Sequence, residues 1–184
     1  MVLPLETRNL RLAVMEDVPA LRHLITLSAQ GLNVEHYTPE QVASILKYVY
    51  GVDTQLVLDQ TYFVVQADDQ YVGCGGWSRR KTLYGGDQHK EAVDNLLDPA
   101  TDAARIRAFF VHPDWARQGI GSALMSACEQ AAYDAGFRSL ELMATLTGEY
   151  LYRRFGFEVL EAEAEVLPDG NIMQLRRMRK TLAS

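Results

Sequence analysis

The residues with the most chemical content lie between Phe109 and Ser122, which read FFVHPDWARQGIGS. An apolar run ends at Val111, a short polar stretch follows, and a helical pattern opens at Gly119. The first N–H groups of a helix have no acceptor within it, and they sit at the positive end of its dipole. Glycines at 119 and 121 take side chains out of the approach to those donors. Such an arrangement binds phosphate or pyrophosphate through backbone amides, and Arg117 adds a cation beside it. No Gly-Lys-Ser/Thr follows, so this is not a Walker-type loop. A dinucleotide fingerprint would want a third glycine where Leu124 stands. The bland alternative is a helix start whose glycines serve packing alone.

The elements around this segment alternate. Residues 105–111 (RIRAFFV) read as a strand, residues 119–135 as a helix with Ile120, Leu124, Cys128, Ala131 and Ala135 on one side, and residues 138–145 as a second strand. A strand–helix–strand crossover makes the two strands parallel. In 138–145, Leu140, Leu142 and Ala144 share one face, while Glu141, Met143 and Thr145 share the other. A short helix over 148–154 follows. Residues 157–167 and 171–182 then form a hairpin around Pro168-Asp169-Gly170.

Upstream, residues 8–14 alternate as a half-buried strand does. Residues 16–30 carry an apolar stripe (Val18, Leu21, Leu24, Ile25), with Asp17 placed to cap the helix and Pro19 suited to its first turn. Thr38-Pro39-Glu40-Gln41 is an N-cap, a first-turn proline and a capping-box partner in sequence, and Gly51 closes that helix. Residues 61–67 and 70–77 flank Asp68-Asp69 as an antiparallel hairpin. Gly73, Gly75 and Gly76 in its second strand point to another group approaching the backbone closely, or to a simple twist. Residues 78–104 are a long polar connection, with a short helix expected around 90–97.

Nothing in the composition divides the 184 residues, so one domain over 1–184 is expected. Hydrophobic residues at 48% and charged residues at 23% exclude a disordered chain. A net charge of −6 argues against nucleic acid as a partner. No apolar run is long enough for a membrane span, and no signal-peptide pattern opens the chain. Cys74 and Cys128 make no metal or disulfide pattern, which fits a reduced, cytoplasmic setting and no bound metal.

Phe109 to Ser122 resembles the acetyl-CoA motif of the GCN5-related N-acetyltransferase (GNAT) superfamily. Leu151-Tyr152-Arg153-Arg154-Phe155-Gly156-Phe157 resembles that family's LY-x-x-x-GF signature. The resemblance implies an α/β fold: a mixed, mostly antiparallel sheet with splayed central parallel strands and helices on both faces. It implies that backbone N–H groups of Gln118, Gly119, Ile120, Gly121 and Ser122 cradle the pyrophosphate of acetyl-CoA, with Arg117 nearby. Backbone groups of Phe109 and Val111 would pair with the pantetheine arm, and Tyr152 would sit beside the thioester sulfur as a proton donor. The sequence departs from the family at Ala116, where Gln or Arg is usual, and at Thr145, where Asn often contacts pantetheine. The strand over 106–110 also lacks the acid that many members use as a base.

The activity implied is transfer of an acetyl group from acetyl-CoA to a primary amine, small-molecule or peptide, by direct attack in a ternary complex. The alternative is a non-catalytic acyl-CoA-binding or regulatory module on the same fold. Candidates for the acceptor side are Glu35 and His36 in the loop between the first two helices, Trp77 with Arg79 for an anionic acceptor, and Glu141 as a base. His112 is a weaker base candidate, and Glu158, Glu161, Glu163 and Glu165 read as a solvated strand face. A homodimer is compatible with the sequence.

Overall fold

The computed structural model describes residues 8–183. Their strands are β1 (Arg8–Leu12), β2 (Tyr62–Ala67), β3 (Gln70–Ser78), β4 (Ala104–Val111), β5 (Ser139–Thr145), β6 (Glu158–Val166) and β7 (Ile172–Thr181). They form one sheet in the order β1-β2-β3-β4-β5-β7-β6. The helices are α1 (Val18–Leu32), α2 (Pro39–Tyr48), α3 (Thr54–Leu58), α4 (Ile120–Asp134) and α5 (Glu149–Arg154). Every neighbouring pair of strands is antiparallel except β4 and β5, which α4 connects as a crossover.

That one parallel pair is short. Only Ala104 with Leu140 and Arg105 with Glu141 are in register, and beyond them the strands part. A bulge in β4 accompanies the parting: the ladder to β3 shifts between Cys74 and Gly76. Opposite it, Ala108 takes φ 54°, a left-handed conformation costing an L-residue roughly 1–3 kcal/mol. The hydroxyl of Tyr62 donates to the carbonyl of Ala108 at 2.7 Å and holds that turn of the chain. A side chain on Gly75 would collide with the ring of Phe109, and one on Gly73 with Ile120. The glycines of β3 therefore admit other groups to the backbone.

Both faces of the sheet are covered. On one, Met125, Cys128 and Ala132 of α4 pack on Ile106, Leu140, Leu142 and Met178. On the other, Leu21, Leu24 and Ile25 of α1 and Leu56 and Val57 of α3 pack on Tyr62, Val64 and Cys74. Val42, Ile45 and Val49 reach Met173 and Leu175 of β7. At about 25 cal/mol per Å² of apolar surface, such burial is the main stabilising term.

Four local expectations need correction. β1 stops at Leu12, and a 3-10 turn (Met15–Asp17) precedes α1. Asp17 does not cap α1 with its side chain. Its carboxylate accepts from Val14 N–H, from Arg11 and from the Tyr71 hydroxyl instead. The stripe of α4 runs through Met125 and Ala132, while Ala135 is exposed. No helix forms over 90–97. There Arg80 bridges Leu96, Leu97 N–H bonds Arg79 C=O at 2.7 Å, and Asp59 anchors the Arg80 guanidinium at 2.7 Å. α3 was not expected, because five residues with two buried are too few to show a helical period.

Candidate active site

The gap between β4 and β5 opens a cleft with about 580 Å³ of empty space, part of it open solvent. Ile106 and Phe109 of β4 and Tyr152 of α5 line it among residues packed on the α4 side of the sheet. Tyr50 after α2, Leu83 to Gly86 of the long loop, Met173 and Leu175 of β7, and Thr145 of β5, which stands opposite Leu175, line it toward the α2 side. Residues packed on both faces of the sheet therefore line one cleft.

The first residue of α4 is Ile120, and the Gly119 carbonyl accepts the Ala123 N–H at 3.0 Å. The N–H groups of Ile120, Gly121 and Ser122 belong to the first turn, where a helix supplies no acceptor. Gly119 has φ 83°, and a side-chain carbon there would meet nothing within 4 Å. Gly121 is different: a side-chain carbon would lie 3.2 Å from Leu151 of α5. Its lack of a side chain lets α4 and α5 pack. Arg8 of β1 donates to the Gln118 carbonyl at 2.5 Å and fixes the approach to the helix. Arg117 is exposed, with φ 60°.

Tyr152 is set by α5, between the edges of Phe109 and Phe157 at ring-centroid distances of 6.2 Å and 6.0 Å. Burial holds its phenol above the ordinary value, so it is protonated across the physiological range. The Thr145 hydroxyl accepts the Gly148 N–H at 3.0 Å, closing the turn that enters α5. Val111 is half-buried at the end of β4. The His112 Nδ1 accepts the Asp114 N–H at 3.1 Å, so this histidine caps a turn.

The opposite wall rests on a buried charge cluster that sequence reasoning missed. Arg107 of β4 and Asp53 before α3 are both fully buried and meet at 3.0 Å. Lys90 reaches the second oxygen of Asp53 at 2.6 Å. Arg107 also donates to Gly85 C=O at 2.7 Å, and so holds the cleft-lining loop against the sheet. Farther along, Glu165 of β6 accepts from the Tyr84 hydroxyl at 2.9 Å and meets His89 Nε2 at 2.8 Å. The one sequence signal was a charge, Arg107, between apolar neighbours, together with Tyr84-Gly85-Gly86 in a loop.

The acceptor-side candidates lie elsewhere. Glu35 and His36 are exposed and do not line the cleft; the adjacent Tyr37 is buried, bonding Gln174 C=O and Leu146 N–H. Trp77 is buried edge-on against Phe137, with Arg79 stacked over its ring at 5.2 Å, outside the cleft walls. Glu141 is neither solvent-facing nor in the cleft. It is buried, and Arg105, Arg177 and Arg179 reach it at 3.1, 3.1 and 3.2 Å. An isolated buried carboxylate is too costly to keep charged, and three guanidinium groups offset that cost.

Residues 59–159, more than half of the chain, match the family model described as acetyltransferase (GNAT) domain. The chain belongs to the GNAT acetyltransferase family. GNAT proteins of solved structure share the fold. The GCN5-related N-acetyltransferase of Rhodopseudomonas palustris is 19% identical, with 99% of each chain covered and a TM-score of 0.72. The PaiA N-acetyltransferase of Thermoplasma acidophilum, solved in complex with coenzyme A, is 14% identical over 95% of this chain and 98% of that one, with a TM-score of 0.63. A GCN5-related N-acetyltransferase of Kribbella flavida is 18% identical over 97% and 100%, with a TM-score of 0.62. No curated protein matches the chain. Among the described residues, no helix is long and apolar enough to cross a membrane, and no acidic, histidine or cysteine cluster is placed to hold a metal ion. In this GNAT chain the splay of β4 from β5, the open start of α4 and Tyr152 border one another.

Proposed function

We propose that this GNAT chain, working as one domain, transfers the acetyl group of acetyl-CoA to a primary amine by direct attack in a ternary complex. The observation that carries the reading is a cleft at the β4–β5 splay, lined from both faces of the sheet, with Tyr152 in its wall. A cleft lined from both faces suits two substrates meeting beside Tyr152. The coenzyme A complex of PaiA, which shares the fold, supports the choice of cosubstrate.

Acetyl-CoA fits this chain's residues. The Ile120, Gly121 and Ser122 amides, with the open ground at Gly119, suit a pyrophosphate, and Gln118 and Arg117 flank it. Backbone groups of Phe109 and Val111, freed from β5 by the splay, take the pantetheine arm as an added strand would. Thr145 borders the arm. The neutral amine forms its bond to the acetyl carbon and gives up a proton to solvent, and Tyr152 protonates the departing thiolate as the carbon–sulfur bond breaks. Holding both substrates in line removes the entropy of their encounter, worth up to about 7–11 kcal/mol of barrier.

Direct transfer is supported by the state of the cysteines. Cys74 and Cys128 are both buried. Burial pushes the Cys74 thiol up to about 12 and raises that of Cys128 as well, so neither is a thiolate ready to take the acetyl group. Both stay thiols in a cytoplasmic setting. The test is a screen of primary amines with acetyl-CoA, reading free thiol against N-acetylated product. The reading expects equal amounts of both, dependent on the amine. Acetyl-CoA binding without transfer to any amine would leave a non-catalytic module.

A further inference from the structure

Glu163 and Glu165 of β6 stand beside cleft-lining residues of β7. In the β6–β7 ladder they stand directly opposite Leu175 and Met173. Directly opposed residues of an antiparallel pair share one face of the sheet, and Leu175 and Met173 both line the cleft. Glu165 is further tied to the cleft by the hydroxyl of Tyr84, which lines it too. The alternating glutamates of β6 thus border the cleft at this point.

Their charge is not neutralised by lysine or arginine. Among the described residues Glu165 pairs only with His89, and Glu163 is in no ion pair. The cations of the neighbouring strand are engaged elsewhere: Arg176 lies 3.9 Å from Glu149, and Arg177 is 3.1 Å from Glu141. Lys90 and Arg107 are both taken by Asp53. Burial raises the Tyr84 phenol above its ordinary value, and its bond to Glu165 and the charge of Glu163 raise it further. Tyr84 is therefore a neutral donor to Glu165.

We infer that the acceptor is an amine carrying a second positive charge, which Glu163 and Glu165 hold while the reacting amine enters toward Tyr152. This rests on the acetyltransferase reading and narrows its substrate class. Two carboxylates beside a low-dielectric wall attract a cation more strongly than the same groups in open water. They disfavour an acceptor with an anionic tail for the same reason. Arg79, stacked on Trp77 outside the cleft, offers such a tail no compensation.

The test uses three amines of equal chain length: putrescine, butylamine and γ-aminobutyrate. Their binding to the CoA-saturated protein is measured by calorimetry. Putrescine is expected to bind more tightly than butylamine by on the order of tenfold, one charge pair's worth. Glu163→Gln and Glu165→Gln are each expected to narrow that gap, leaving butylamine little changed. Equal affinity for putrescine and butylamine, preference for γ-aminobutyrate, or no amine binding would overturn the inference. So would a uniform loss for both amines in both variants, since a glutamate that only braced Tyr84 would not discriminate between them. Failure of CoA to bind the wild-type protein would strike the acetyltransferase reading itself, and the inference with it.

Discussion

Arg105 of β4 and Glu141 of β5 form the last registered pair of the two parallel strands, and their side chains meet at 3.1 Å. The pair sits at the closed end of the splay. Arg177 and Arg179 join the same carboxylate from β7, so one buried glutamate ties three adjacent strands at the hinge of the gap. Glu141 acts on the cleft by fixing where it starts. Its place among arginines explains why a residue on the expected face of β5 does not reach the site.

The two glycines at the start of α4 are expected to separate under mutation. Gly119→Glu forces a side chain into left-handed backbone and sets a carboxylate in the open ground before the first-turn amides. Like-charge contact costs several kcal/mol, so CoA affinity should fall about a hundredfold or more by calorimetry. Gly121→Ala must push Leu151 aside. CoA affinity should change by only a few fold in that variant.

Removing the charge of Asp53 leaves Arg107 buried and uncompensated. Breaking one partner of such a pair costs about 3–5 kcal/mol, so Asp53→Asn should unfold at markedly lower denaturant. The double replacement Asp53→Leu with Arg107→Met should recover part of that stability, because the apolar pair needs no compensation while Lys90 loses its partner. It still loses the bond to Gly85 C=O. Acceptor KM should therefore stay raised in the double variant while acetyl-CoA KM does not.

Acid should weaken the fold through Asp17 and Asp59. Hydrogen bonds from Arg11 hold the Asp17 carboxyl below the usual carboxylate range, and those from Arg80 do the same for Asp59. A depressed folded-state value stabilises the protein above the unfolded value of about 3.9, and that gain disappears as pH falls through the folded value. The stability difference between wild type and Asp17→Asn should be flat above about pH 5 and shrink below about pH 4. A difference independent of pH would show that the Arg11 and Tyr71 contacts act through shape alone.

Much of this architecture was legible in the sequence because its signals are local. Thr38 and Gln41 form the expected capping box, with bonds of 3.1 and 2.9 Å. The crossover through α4 fixed the parallel pair, and the glycines of β3 do admit Phe109 and Ile120. The acceptor wall was not legible. Arg107 and Asp53 are far apart in sequence, and nothing local to either names the other. Glu163 and Glu165 alternate as any solvated face would, and only the β7 register turns that face toward a cleft. Asp17 shows the limit of cap reasoning, since Arg11 outcompetes the helix for its carboxylate.

The central claim is that Tyr152 protonates the leaving thiolate within the splay. Tyr152→Phe keeps the ring between Phe109 and Phe157 and removes only the hydroxyl that carries the proton. The decisive measurement is the single-turnover rate of acetyl transfer to the best amine found, with acetyl-CoA affinity measured alongside. General acid catalysis is worth about 10²–10⁴-fold, so the rate should fall within that range at unchanged affinity. An unchanged single-turnover rate would contradict the account and leave Tyr152 a packing residue.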